Sequence, residues 1–432
     1  MPGQDTAHLE AAMKTVYGPD MVDLINKATP VLDRFQEIKD VEWMGKVYEY
    51  PIKITRSQGT GSYAEGGALT TAGRAKVAAV RVPVRYMGHR ITLTAQAIEA
   101  TESNKGAWKP ALRMEMDDAI DGLSNDRARA VWSDGRGVLC LVNDTTPSGS
   151  ATVGIDSPGG FAGTTNGGRF INEGTIVEFI VPGTGAIRSS ARTVSSVAND
   201  GTSFTLSSAP AAAVADNDYV VRAANTSVTD VSDTSYQKDP MGLAGLVDDG
   251  TNVTTLHGIN RTTVPLWQST VVTSAGVWSA DVVQRAIDLA KQVGGGKIAE
   301  LWGHESTRRF YVDSMNSDRR YMGADLMRPD GGTAAARGSQ LTFGGLPFKE
   351  DRYCPYGSLF LLDPSGLERY VLQRGKWEDR DGAVLTRVGT GASAVHSFEA
   401  FYYIWDNFGN RYPNRCARID GFDVSIGTAH IY

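Results

Sequence analysis

The chain has 432 residues, a formal net charge of −6 and a pI of about 5.6. Hydrophobic residues make up 41% of it and charged residues 21%, which is typical of a globular protein with two or three domains. A protein that grips nucleic acid over a broad face is basic, so the acidic balance argues against that class.

The first 42 residues predict an extended arm with short helical pieces, because Pro19 and Pro30 interrupt every hydrophobic stripe. The first residues do not combine a basic region with a following apolar one, so we do not expect a signal peptide. No run approaches the 18 apolar residues that indicate a membrane span. We therefore predict a protein that folds in a reducing cytosol and has no membrane partner.

Residues 43–92 predict a long β-hairpin. Apolar and polar residues alternate over Val47–Ser57 and again over Lys76–Arg90, which is the period of a strand. The segment Ser57–Gly73 between them is too rich in glycine to pack. An isolated two-stranded hairpin is marginal in water. It therefore lies either on a neighbouring subunit or on a sheet of its own domain, and both interpretations stay open.

Residues 93–142 contain the longest predicted helix, from Trp108 to about Trp132. Its carboxylates cover the faces away from the apolar stripe, and glycines at 135 and 137 end it. The stripe consists of Trp108, Leu112, Met116, Ile120, Leu123 and Val131.

Residues 143–230 predict a small all-β domain inserted into a host fold. Lysine is absent between Lys109 and Lys238, and the segment is rich in Ser, Thr, Gly and Ala. Short β-runs separated by turn signals replace helical periodicity. The alternative is a loop-rich part of one larger β-domain. The runs are Thr175–Val181, Arg192–Val197, Ser203–Leu206 and Tyr219–Arg222.

The host fold resumes over residues 231–372 and 373–432. Ser279 is a suitable N-cap for a helix that runs through Val293. A strand at Ile298–Trp302 and a helix at Glu305–Met315 follow, and the pattern turns β-rich after Gly345. Strands and helices mix without a βαβ rhythm, so the pattern favours the α+β class.

The motifs that carry chemistry are incomplete. His304 and Glu305 begin like a zinc motif, but Arg308 stands where the second histidine is needed. Asp117 and Asp118 are adjacent on the predicted helix and so point apart. The cysteines are odd in number and far apart, which gives no disulfide framework. They are Cys140, Cys354 and Cys416. We predict no catalytic residue, no cofactor and no metal site.

The order of these parts resembles the major capsid proteins of tailed double-stranded DNA bacteriophages, which have the HK97-like fold. The segments that carry the resemblance are diffuse, and it rests on their order and spacing. They are Met241–Leu243, Gly258–Arg261, Pro265–Trp267, Asp363–Leu367, Gly375–Asp379, Asp381–Leu385 and Tyr412-Pro413.

The resemblance implies an N-terminal arm (1–42), an E-loop hairpin (43–92), a P-domain with a spine helix (93–142), an A-domain (231–372) and a P-domain return (373–432). The segment 143–230 departs from the basic family plan. The implied function is a structural, non-enzymatic shell protein that assembles from pentamers and hexamers into an icosahedral head. It would enclose double-stranded DNA without sequence-specific binding. The implied partners are a separate scaffolding protein, a portal protein and decoration proteins, and the implied location is the virion, after assembly in the host cytoplasm.

The sequence is also compatible with two other functions. One is a β-rich carbohydrate-active enzyme with paired carboxylates, and the other is an encapsulin-like compartment protein of the same fold. For the shell protein, we expect contacts between subunits at the polar face of the hairpin. Arg81 and Arg85 are the candidates there, and their candidate partners on a neighbouring subunit are Glu378, Asp379 and Asp381.

Overall fold

A computed structural model describes residues 30–38, 43, 45–101, 111–147, 149–161, 166–273, 275–318, 341–379, 384–389 and 395–422. It divides into two compact units, each described by itself below. The first unit comprises Val84–Arg129 and Val371–Asp406, and the second comprises Pro30–Pro83, Ala130–Tyr370 and Asn407–Tyr432, as far as these ranges are described.

The elements of the amino-terminal half are mostly strands around one long helix. In chain order they are β1 (Gln36–Glu37), β2 (Val47–Lys53), β3 (Val77–Pro83), β4 (Arg85–Thr94), α1 (Ala95–Thr101), α2 (Ala111–Trp132), β5 (Val138–Val142), β6 (Thr152–Asp156), β7 (Ile176–Ile180), β8 (Ile187–Val197), β9 (Ser203–Leu206) and β10 (Tyr219–Arg222).

The carboxyl-terminal half mixes helices with strands. Its elements are α3 (Leu243–Leu246), β11 (Thr255–Leu256), β12 (Ile259–Asn260), β13 (Thr270–Val272), α4 (Ala280–Gly294), β14 (Glu300–Gly303), α5 (Glu305–Asp318), β15 (Thr342–Phe343), β16 (Leu346–Glu350), β17 (Leu359–Leu362), β18 (Leu367–Trp377), β19 (Thr386–Arg387), β20 (Ser397–Asn410) and β21 (Ala417–Ile419).

The first unit is an antiparallel sheet with a helix packed on it. β4 pairs with β20 over ten residue pairs, from Arg85↔Asp406 to Thr94↔Ser397. Ala119 of α2 packs with Ile91, Leu93 and Ala400 of the sheet in one hydrophobic cluster. The helix predicted from Trp108 is therefore confirmed from Ala111 onward, and its predicted start lies outside the described residues.

The second unit is built on a six-stranded mixed sheet in the order β13-β21-β17-β14-β16-β15. Helix α4 covers it with Val283, Ile287 and neighbouring apolar residues. The predicted cap is confirmed, because the Ser279 side chain accepts a hydrogen bond from the backbone N–H of Asp281. Gly295 ends the helix with a positive φ of 61°, which is the left-handed conformation that favours glycine.

A closed barrel in the order β10-β5-β6-β9-β8-β7 occupies the middle of the second unit. The all-β character predicted for this segment is confirmed, and the predicted runs at Ser203–Leu206 and Tyr219–Arg222 are strands with those bounds. The barrel begins with β5, before the predicted boundary at residue 143. Because β5 is buried between β6 and β10, it belongs to the barrel and not to the preceding helix segment.

The predicted second arm of the hairpin is one strand in the sequence pattern but two in the structure. β3 ends at Pro83, and β4 begins at Arg85 and pairs with β20 instead of β2. Asn407 explains the change of partner, because its Nδ2 donates to the Pro83 carbonyl oxygen at 2.7 Å. The hairpin therefore pairs over Val47–Lys53 and Val77–Pro83, which is shorter than predicted.

Candidate functional site

The paired half of the hairpin packs on its own chain. The register runs from Val47↔Pro83 to Lys53↔Val77. Val80 and Val82 are fully buried, and Tyr50 is 8% exposed. The Arg81 backbone N–H also donates to the His257 carbonyl oxygen at 2.8 Å. Of the two interpretations left open for the hairpin, the intramolecular one is therefore correct for this half.

Three tyrosines anchor strand β2. The rings of Tyr48 and Tyr50 lie 4.9 and 6.4 Å from the ring of Tyr370. The Arg411 guanidinium stacks 5.3 Å from the Tyr50 ring centroid and pairs with Glu368 at 2.9 Å. Burial raises the pKa of Tyr50 to about 12, so its hydroxyl stays neutral at physiological pH. The anchor thus combines aromatic packing with one compensated ion pair.

The distal half of the hairpin, residues 54–76, carries no regular ladder. A few hydrogen bonds join its two sides. The Ser57 hydroxyl donates to the Gly73 carbonyl oxygen at 2.9 Å, and the Thr70 hydroxyl donates to the Gly59 carbonyl oxygen at 2.7 Å. Tyr63 and Leu69 remain 68% and 75% exposed. The described part of the chain thus leaves these two large apolar side chains uncovered.

A groove of about 580 Å³ runs beside strand β2 in the second unit. Its walls combine apolar residues with the cations of Lys53 and Arg411. The other lining residues are Tyr48, Tyr50, Pro51, Ile52, Ile54, Val264, Leu266, Trp267, Tyr412, Pro413 and Asn414. The face of β2 that the sequence pattern marks as apolar therefore forms one wall of this groove.

The structure gives Arg81 a partner within the hairpin itself. Arg81 lies directly opposite Glu49 in the hairpin, and their side chains form an ion pair at 3.3 Å. The Arg81 side chain is still 65% exposed. An exposed pair of this kind contributes roughly 0–1 kcal/mol, so it leaves Arg81 accessible to a second carboxylate.

The other candidates lie in the first unit, apart from Asp381, which is outside the described residues. Arg85 is paired in register with Asp406 of β20. The Glu378 backbone N–H donates to the Phe401 carbonyl oxygen at 2.8 Å, and Asp379 is exposed. Arg81 lies in the second unit, and the role of these residues between subunits stays a prediction.

Sequence reasoning missed a buried charge network in the second unit. Asp248 and Arg261 are fully buried, and Arg418 is 3% exposed. Arg261 donates to the carbonyl oxygens of Gly245 at 2.9 Å and Leu246 at 2.8 Å, while Arg418 reaches Asp248 at 3.2 Å. Burial lowers the pKa of Arg261 to about 10, which still leaves it charged at neutral pH. The segment Gly258–Arg261, which carries part of the resemblance to capsid proteins, contributes Arg261 to this network.

A second missed contact joins the barrel to the six-stranded-sheet region of the same unit. Arg169 is 1% exposed, and its Nη1 donates to the Cys354 carbonyl oxygen at 3.2 Å. Its guanidinium lies 4.3 Å from the Tyr356 ring centroid. The ring of Phe170 stacks on Tyr353 at 6.4 Å. A lone arginine in a Gly-rich segment carries no sequence signal for such a contact, because Cys354 is 185 residues away.

Among the described residues, no group of three or more His, Cys, Asp or Glu side chains could hold a metal ion. Within the same part of the chain, no helix is both long and apolar enough to cross a membrane.

No family model matches the sequence, and no curated protein matches it. Among solved structures, the chain is similar to one in the cyanophage A-1(L) capsid asymmetric unit, with a TM-score of 0.57 and 12% identity over 95% of this chain and 97% of that one. The capsid of a native GTA particle gives a TM-score of 0.48 and 10% identity over 94% and 95% of the two chains. A holo encapsulin complex from Synechococcus elongatus gives 0.43 and 10% over 100% and 99%.

Of these three similarities, the one to the cyanophage chain has a TM-score above 0.5, and the fold assignment rests on it. It extends over nearly the whole of both chains, so the shared architecture is not limited to one domain. The α+β class is confirmed, and the chain has the HK97-like fold of a phage capsid subunit.

Proposed function

We propose that this chain is a major capsid protein that assembles with copies of itself into the icosahedral head shell of a tailed bacteriophage. The observation that carries the proposal is the similarity of fold to the cyanophage capsid chain over 95% of the sequence. A shell is held by many repeated contacts between identical subunits and not by one active site. The chain accordingly acts as a structural, non-enzymatic protein.

The projecting half of the hairpin supports self-association. Tyr63 and Leu69 are more than two-thirds exposed on a segment that has few bonds of its own. Burying each of these side chains against a neighbouring copy would stabilise the contact by about 1.5–3 kcal/mol. Repeated around a shell, such contacts favour pentamers and hexamers over the free subunit.

Two of the buried carboxylates in the second unit are used to hold the fold, which favours a structural protein over a carbohydrate-active enzyme. That alternative requires two carboxylates facing each other across a cleft. Asp248 instead binds Arg261 and Arg418, and Glu368 binds Arg411. Both carboxylates therefore hold the fold together.

The finer partners follow from the shell itself. We propose that a separate scaffolding protein guides assembly in the host cytoplasm and that a portal protein occupies one vertex of the virion. Decoration proteins would bind the outside. Double-stranded DNA would fill the interior without sequence-specific contacts, which fits the net charge of −6.

Electron microscopy of the purified chain tests self-assembly. We expect rings or closed shells when the chain is concentrated, alone or with a co-expressed scaffolding protein. Particles that protect DNA from nuclease would support a phage head, whereas particles that retain a protein cargo would favour the encapsulin-like alternative. A chain that stays monomeric under every one of these conditions would contradict the proposal.

We also propose that Arg81 and Arg85 pair with Glu378, Asp379 and Asp381 of a neighbouring copy. A glutamate at position 81 would face Glu49 within the same hairpin and repel it, so glutamine is the cleaner replacement. We expect the double variant Arg81→Gln and Arg85→Gln to assemble more slowly in a light-scattering assay. An exposed pair such as that of Arg81 contributes only about 0.2–1 kcal/mol, but a shell repeats it many times.

The matched control removes two positive charges elsewhere. Arg285 and Lys291 are exposed on α4, and their replacement by glutamine changes the net charge equally. We expect this control to assemble at the normal rate and both double variants to unfold normally in urea. Equal assembly rates for the two double variants would remove Arg81 and Arg85 from the interface.

A further inference from the structure

The barrel contains a buried carboxyl group that its surroundings satisfy poorly. Glu178 lies on β7 and is 0% exposed. Its Oε1 accepts a hydrogen bond from the Phe179 backbone N–H at 3.2 Å. Its Oε2 is buried without a hydrogen-bond partner among the described residues. An ionised carboxylate in this position is costly, since burial removes its water and only part of that hydration is replaced.

The position of Glu178 in the sheet explains the poor solvation. The register places it opposite Val221 of β10, and directly opposite residues share a face of the sheet. Val221 belongs to a hydrophobic cluster with Val138 and Ile180, which Val231 and Tyr236 help to cover. The ladder between β7 and β8 also shifts register across this residue, between Val177 and Phe179, and again between Phe179 and Ile180. Glu178 is therefore an acid at an irregular point of the barrel wall.

The charged groups on the elements around Glu178 do not neutralise it. On β8, Arg192 favours the ionised form, but its guanidinium donates to the carbonyl oxygens of Ala191 and Ala209. Arg188 of the same strand is bound to Asp218 at 2.8 and 2.9 Å. On β10, Arg222 follows Val221 and so points to the opposite face.

The covering segment, residues 223–238, carries further charges. Lys238 donates its ammonium to the carbonyl oxygens of Val231 and Thr234 at 3.2 and 2.7 Å, which uses it within that segment. Asp230 accepts from the Ser232 backbone N–H at 2.7 Å, and Asp233 interacts with Lys238. The carboxyl of Glu178 thus keeps an apolar environment on this side of the sheet.

We propose that Glu178 makes the barrel a pH-responsive element, which is tightest when this carboxyl carries a proton and loosens as the proton leaves. Burial raises the pKa of Glu178 from 4.5 to about 7, against the N–H groups of Phe179 and Ala191 and the charge of Arg192. The folded barrel therefore binds the proton more strongly than the unfolded chain does. The stability that the protonated Glu178 carboxyl gives to the barrel is complete below about pH 4.5 and is lost as the pH rises through about 7.

Amide hydrogen exchange on the unassembled full chain tests this proposal. We expect the protection of the β7 and β8 amides to fall between pH 4.5 and 8, after correction for the intrinsic exchange rate with β17 as the internal reference. A change in the pKa of Glu178 from 4.5 to about 7 corresponds to a fall in the protection factor of at most about 300-fold, because each pKa unit is a factor of ten in the opening equilibrium. Unchanged protection across this range would overturn the proposal.

Two variants assign the effect to this residue. In Glu178→Gln and in Glu178→Met we expect the dependence of barrel protection on pH to be strongly reduced. Glu173→Gln is the matched control, because Glu173 is an exposed glutamate shortly before β7. The amide protection of the barrel in Glu173→Gln should depend on pH as it does in the natural chain. Asp156 is a second barrel carboxyl whose pKa burial raises, so full pH dependence in the Glu178 variants would assign the effect there and contradict the proposal.

Discussion

Replacement of Arg261 by methionine is expected to lower the free energy of unfolding of the subunit by about 3–5 kcal/mol. The side chain is fully buried and donates to the carbonyl oxygens of Gly245, Leu246 and Val253 at 2.8–3.1 Å. Methionine fills much of the volume but leaves these acceptors and the buried Asp248 without the guanidinium. Urea unfolding of the unassembled chain measures the change.

Lysine at the same position distinguishes charge from geometry. A single ammonium cannot reach acceptors spread around a planar guanidinium, so Arg261→Lys should also destabilise the subunit. Arg285→Met is the matched control on the exposed face of α4 and should change the free energy of unfolding by less than about 0.5 kcal/mol. If Arg261→Met were as mild as this control, the network would not be the structural centre that its burial indicates.

Deletion of residues 143–230 is expected to give insoluble protein. The deletion removes β6 and β10, which are the two strands that pair with β5. Val138, Leu139, Cys140 and Val142 of β5 are buried to within 1% and would all be uncovered. The loss of Arg169 would also expose the ring of Tyr356. Expression and sedimentation of the deletion variant check this result.

A deletion of residues 138–234 should be tolerated better, because the chain segments at its two ends contact each other. The Gln237 backbone N–H donates to the Arg136 carbonyl oxygen at 2.8 Å. A Cβ atom on Gly137 would lie 2.1 Å from the Ser235 carbonyl oxygen, so only glycine fits there. We expect a short Gly/Ser linker between these ends to give soluble but less stable protein. Insolubility of this variant, or solubility of the first one, would contradict the proposed boundary.

Local patterns predicted most elements because each depends on neighbours in sequence. Ser279 caps α4 through the N–H two residues on, and the short runs of the barrel alternate within a single strand. The predicted strand at Ile298–Trp302 and helix at Glu305–Met315 correspond to β14 and α5 for the same reason. The resemblance to capsid proteins also implied the fold correctly, since order and spacing survive where identity is low.

Hydrophobic alternation, the presence of a hairpin and the helix caps could thus be derived from the chain of residues alone, because the interactions behind them span only a few positions. The break of the hairpin at Val84 could not be derived in this way, because it depends on the distant residue Asn407. The same holds for Arg169 and Cys354, for Arg418 and Asp248, and for the start of the barrel at β5. In each case the partners lie far apart in the sequence, and only the packing of distant segments brings them together.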